Sequence, residues 1–254
     1  VWVKEDELIV GNQAKWPKAA PIYPEYSNEW IVEELNGNPY YWDQRPGDKF
    51  YVDEDVKQDL LECIEYWKDK ALYDYLRKSL PDEVNKAWDA GVIDDTWVSA
   101  AGLGNEIVDY RLVVTKGLRD VIERIEKRMA ELDLREPGSV KKKFFLEAAL
   151  KSNMAVINFA NRIAGECEKE AEKCGDEKRR AELLKLSEIC RKVPLNPAES
   201  FHEAVQSIYL ILLAVHLESN GHAISLGRFD QYVYPFYKKD IEEGRITREE
   251  ALEI

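Results

Sequence analysis

NPAESFHEAVQSIYLILLAVHLESNGHAISLGRFDQYVYPFYKKDIEEGRIT, from Asn196 to Thr247, decides how the rest of this 254-residue chain is read. Its core, SIYLILLAVHL (Ser207 to Leu217), is apolar nearly all the way round, within a helix expected over Pro197 to His216. Such a helix has no face to give to water and must be covered on every side. It stops at Ser219-Asn220-Gly221, and AISLGR then alternates like a short strand entering a core. YVYPFYKKD resumes helical spacing, with Arg228 and Asp230 placed to cap its start. Thr247 and Glu250 set a T-x-x-E capping box for a further helix, and the chain stops inside the first two turns of it.

Upstream of this stretch the chain is helical in pattern. Val56, Leu60, Ile64 and Trp67 predict a helix from Asp53 running toward Leu80-Pro81, and Pro81 to Gly91 frames a shorter one. A helix over Asp109 to Leu132 is expected to break near Lys116-Gly117 and to close at Pro137-Gly138. Two long amphipathic segments follow, about Val140 to Cys174 and Asp176 to Lys192, joined as a hairpin by a Gly175 stop and an Asp176 cap. The charge run EKEAEKCGDEKRRAE reads as the solvated face of that hairpin. The first fifty residues, rich in Pro, Asn, Gly and aromatics, read as loop apart from an extended segment at Glu7 to Val10.

Composition narrows the function. Lys and Arg number 36 and Asp and Glu 49, so 36 − 49 gives a net charge of −13, the wrong sign for gripping nucleic acid or an anionic membrane. The apolar run at Ser207 to Leu217 is about half the length a bilayer crossing needs, and VWVKEDE has no signal-peptide character. Cys63, Cys167, Cys174 and Cys190 are too scattered for a disulfide scaffold or metal knuckles, which fits reduced thiols in a cytoplasm. Gly102-Leu103-Gly104 has Ile107 where a dinucleotide loop needs its third glycine. HEAVQ (His202 to Gln206) lacks the second imidazole of HExxH, so no metal site is expected. His222 stands out, as a titratable ring held by small neighbours at a junction between elements.

ESNGH at Glu218 to His222, followed by GRFDQYVYPFY at Gly227 to Tyr237, resembles the pyruvate formate-lyase-like domain of glycyl radical enzymes, and most of all its radical dehydratase and lyase branch. DELIVGNQA (Asp6 to Ala14), RPGDKF (Arg45 to Phe50), GNEIVDYRLVVTKGL (Gly104 to Leu118) and CRKVPLNPAESF (Cys190 to Phe201) extend the likeness over the whole chain.

The resemblance implies an incomplete, mainly α portion of a ten-stranded α/β barrel. Residues 1–52 would form a loop-rich lead-in, 53–193 a helical region, and 194–254 the buried helix with a substrate-pocket segment. It also implies that the chain is an N-terminal piece of a longer polypeptide and inactive alone, with the thiyl cysteine and the radical glycine further along. A radical-SAM activase with an iron-sulfur cluster would install the radical, no cofactor would bind here directly, and the protein would be an anaerobic homodimer.

In the radical diol dehydratases an ESNGHS motif and a GHxxxDY motif help hold substrate hydroxyls. Here the first becomes His222-Ala223 and the second Gly104-Asn105 with Asp109-Tyr110, so one hydroxyl and one imidazole are missing. The implied substrate-binding residues are His222, Asn105, Asp109 and Ala223, with Asn220, Gly221, Arg228 and Asp230 as a structural motif around them. A dehydratase acting on a small polar substrate leads. A glycyl radical decarboxylase, another carbon-heteroatom lyase, formate C-acetyltransferase and a non-catalytic helical assembly module stay open beside it.

Overall fold

A computed structural model describes residues 3–4, 6–12, 22–37, 40–47, 49, 51–93, 104, 106–219 and 223–254. The chain divides into two compact units. The smaller comprises Pro21–Glu106 and His216–Ala223, and the larger comprises Val1–Ala20, Ile107–Val215 and Ile224–Ile254.

The smaller unit holds α1 (Glu29–Leu35), α2 (Glu54–Trp67), α3 (Leu72–Ser79) and α4 (Asp82–Asp89). Ile31, Trp42 and Leu60 form its buried centre, with Ile64 packed on it, while Val56 is exposed. The single helix expected from Asp53 toward Leu80 is two helices. Asp69 takes a left-handed φ of 61°, and the first amides of α3 turn instead to the carbonyls of Glu25 and Tyr26, at 2.8 and 2.9 Å. Neither glycine nor proline marks that break, which is why periodicity ran through it.

The larger unit is built from α5 (Tyr110–Ala130), α6 (Ser139–Lys173), α7 (Glu177–Lys192), α8 (Phe201–Ser219, whose last turn falls in the smaller unit), α9 (Phe229–Glu242) and α10 (Arg248–Glu253). The α6–α7 hairpin forms as the sequence predicts. Asp176 caps α7 by accepting from the Arg179 amide at 2.7 Å, satisfying one of the donors a helix start leaves open. Thr247 and Glu250 form the capping box of α10. The apolar helix begins at Phe201, four residues after Pro197, where the Asp240 carboxylate accepts the Phe201 amide at 2.7 Å.

Gly117 interrupts α5 at φ 73°, ψ 169°. The backbone after Val193 crosses at this point, its Pro194 and Leu195 carbonyls accepting from the Leu118 and Arg119 amides at 2.8 and 2.9 Å. Ala198 returns the contact, donating to the Val114 carbonyl at 2.9 Å. The helix break therefore loses little, because the crossing segment takes up the amides it frees.

The extended segment expected at Glu7 to Val10 pairs with side chains in place of a strand. The Gln206 carboxamide, fully buried, accepts from the Val10 amide and donates to the Val10 carbonyl, both at 2.8 Å. His202, one turn earlier on the same face of α8, contacts the Leu8 carbonyl through Nε2 at 2.6 Å. Arg179 donates to the Lys4 and Glu7 carbonyls, each at 2.9 Å. The HEAVQ pattern that fails as a zinc site is thus half of a backbone grip. Among the described residues no group of three or more His, Cys, Asp and Glu could hold a metal ion, and no helix is long and apolar enough to cross a membrane.

This grip carries a pH prediction. Burial lowers the His202 pKa below the ordinary imidazole value, against the opposing pull of the Leu8 carbonyl. The unfolded chain takes up that proton first as pH falls, so stability is lost as pH drops through the ordinary imidazole range toward the lower folded value. Unfolding midpoints measured between pH 8 and pH 5 should fall further in the parent than in His202→Gln; equal falls would remove His202 from the account.

Candidate functional site

The two stretches that carry the sequence-level site residues are GNEIVDY, before α5, and AISLGRF, before α9. Ile107 and Ser225 join them in a parallel β-bridge, and among the described residues this is the full extent of strand structure. The strand expected at AISLGR is therefore reduced to one paired residue. Around the bridge the backbone is closely fitted. Gly227 takes φ 63°, and a Cβ there would lie 3.1 Å from Ile107 Cγ2. Ser225 Oγ accepts the Gly227 amide at 3.1 Å.

Two tyrosines close the arrangement. Tyr110, the first residue of α5, is 1% exposed and stacks on Tyr232 with ring centroids 6.0 Å apart and planes inclined by 22°. Phe229 meets Tyr232 edge-on at 5.8 Å, and the Tyr232 hydroxyl donates to the Leu226 carbonyl at 2.7 Å. Burial, with Tyr110 alongside, pushes the Tyr232 phenol up to about 12, so it stays a donor at any physiological pH. Sequence reading passed over this pair, because aromatic spacing alone does not tell a stack from general packing.

The predicted site residues fall as follows. Asp109 is exposed and caps α5, accepting from the Leu112 amide at 3.0 Å. Beside it a groove of about 280 Å³ runs along α5, lined by Val108, Leu112, Ile211 and Val215 among others. Ala223 is exposed and holds a left-handed φ of 54°, a conformation that costs a residue with a Cβ about 1 kcal/mol. Arg228 occupies the N-cap position of α9, yet its side chain makes no capping bond; its guanidinium lies 3.6 Å from Asp230 instead. Asp230 sits in the first turn of α9 and accepts from the Gln231 side chain at 2.6 Å. His222, Asn105, Asn220 and Gly221 lie outside the described residues.

The whole chain, residues 1–254, matches the family described as pyruvate formate lyase-like. The chain belongs to that family. The resemblance read from ESNGH and GRFDQYVYPFY therefore holds over its full length. Among its relatives, this pyruvate formate lyase-like chain is 34% identical over 255 residues to "Probable dehydratase YbiW" of Escherichia coli, all of it matching 31% of that protein. A solved structure described under 1,2-propanediol dehydration in Roseburia inulinivorans is 39% identical, with a TM-score of 0.88, and covers all of this chain and 31% of its own. A glycyl radical enzyme from Archaeoglobus fulgidus is 37% identical, with a TM-score of 0.83, over 99% of this chain and 32% of its own. The chain thus spans about a third of the length of the proteins it matches.

The thiols of this pyruvate formate lyase-like chain differ in their exposure. Cys167 and Cys190 are buried on α6 and α7, and desolvation pushes Cys167 up to about 12 and Cys190 higher still. Cys63 lies within α2, and Cys174 closes α6 with its thiol toward the Asp176 carbonyl at 3.5 Å.

Proposed function

We propose that this chain is the substrate-recognising portion of a glycyl radical lyase that removes water from a small hydroxylated compound. The observation that carries the reading is the parallel bridge between Ile107 and Ser225. Asn105 stands two residues before Ile107, and Ala223 two before Ser225 with His222 next to it. In this reading the two bridged stretches each contribute one polar side chain to the substrate, an amide from Asn105 and an imidazole from His222. The probable dehydratase of Escherichia coli and the Roseburia inulinivorans structure described under 1,2-propanediol dehydration support the same class.

In this reading His222 holds a substrate hydroxyl and exchanges its proton near neutral pH, which an imidazole can do. Asn105 donates and accepts hydrogen bonds but exchanges no proton. Ala223 adds no hydroxyl of its own, so the pocket loses one means of selecting a polyol, and glycerol is not the expected substrate. The glycyl radical, installed by a radical-SAM activase, supplies hydrogen abstraction through a cysteine. No step is assigned to Cys63, Cys167, Cys174 or Cys190. An anaerobic, cytoplasmic homodimer is part of the same proposal.

The test is product analysis on the full-length protein, activated without oxygen by its own activase and offered a panel of small diols and hydroxy acids. Carbonyl product from at least one is expected, with kcat/KM lowered about a hundredfold in His222→Ala. Carbon dioxide from a carboxylate substrate with no carbonyl from any alcohol would overturn the dehydratase reading.

A further inference from the structure

We infer that Tyr232 is a positioning residue whose hydroxyl and ring hold the two pocket segments in register. The inference rests on the reading of residues 105 and 222 as pocket residues. One side chain contacts both bridged segments close to the bridge. Its hydroxyl bonds the carbonyl of Leu226, next to Ser225, at 2.7 Å, and its ring lies on Tyr110, three residues beyond Ile107. Gly227 completes the fit, since its missing Cβ is what lets Ile107 approach.

Packing alone does not call for that hydroxyl. A phenylalanine would keep the stack on Tyr110 and the edge contact with Phe229, and would bury the same ring. The Tyr110 hydroxyl is itself buried with no hydrogen-bond partner among the described residues, so the polar link across the stack belongs to Tyr232. A single-residue bridge has no neighbouring ladder bonds to fix its register, and a slip by one residue would turn each side chain to the opposite face. The Tyr232 bond and stack supply the constraint that a longer ladder would provide.

Tyr232→Phe in the full-length protein separates the two roles. If Tyr232 sets register, amide exchange rises about fivefold in peptides covering both 104–110 and 223–228 while α6 and α7 are unchanged. KM for the substrate then rises about fivefold with kcat held, the pattern of lost uniform binding. Gly227→Ala, which pushes on Ile107 from the other side, should open the same two peptides. Exchange confined to 223–228, or unchanged in both, makes Tyr232 a packing residue and overturns the inference. A full-length protein with no turnover on any alcohol defeats the functional reading, and the exchange data still decide the role of Tyr232.

Discussion

Replacing Gly117 with alanine should lower the unfolding free energy by roughly 4 kcal/mol, among the larger effects a single substitution produces. Two costs combine. The residue sits at φ 73° inside α5, where any Cβ is strained. The Cβ would also lie 2.4 Å from the Leu195 carbonyl oxygen and 2.6 Å from the Asn196 carbonyl carbon. Both are backbone atoms of the crossing segment and cannot swing aside. Moving them breaks the bonds from Leu118 and Arg119 to that segment, and shifts the start of α8 behind it. Gly138 is the internal control. Its φ is 81°, yet nothing lies within 4 Å of its absent Cβ, so Gly138→Ala should cost only about 1 kcal/mol. Denaturant midpoints of the two variants measure the difference; equal losses would mean that the crossing contributes nothing beyond backbone strain.

Gln206→Leu should cost about 3 kcal/mol, although it places a larger apolar side chain in an apolar core. Val10 and Gln206 are both fully buried, and the carboxamide satisfies the Val10 amide and carbonyl together. Leucine leaves both groups without a partner in a place water does not reach, at about 1–3 kcal/mol each, partly offset by the added apolar burial. Gln206→Glu sets an unpaired carboxylate against the Val10 carbonyl in the same dry place, so near neutral pH it should cost at least as much as leucine. Protease cleavage within residues 3–12 gives an independent readout, rising sharply in Gln206→Leu. A variant as stable and as resistant as the parent would show that the grip is incidental.

Local signals carried far in this chain. The 35-residue α6 and the 16-residue α7 follow from apolar spacing and from Asp176 as a cap, and Thr247 with Glu250 marks α10 by itself. Gly117 could be read as a break but not explained, because its partner, Leu195-Asn196, is almost eighty residues away in sequence. Distance hid Gln206 in the same manner: HEAVQ is uninformative until Leu8 and Val10 are laid against α8. The break at Asp69 went unmarked because Asp tolerates a left-handed turn but signals one far more weakly than glycine. The candidate site was legible only through family resemblance; from spacing alone His222 was one ring at a junction, and Asn105 drew no notice. The bridge at Ile107 and Ser225 is a long-range pairing of one residue on each side, too short to leave a periodic trace.

The central claim is the proposal that Asn105 and His222 serve one substrate. A double-mutant cycle on kcat/KM of the activated full-length enzyme tests it most directly, with Asn105→Ala, His222→Ala and the double variant. Residues that share a substrate couple, so the double variant should lose at least tenfold less than the product of the single losses, about 1.4 kcal/mol of coupling. Losses that multiply within a factor of two would place the two side chains in separate environments and contradict the account.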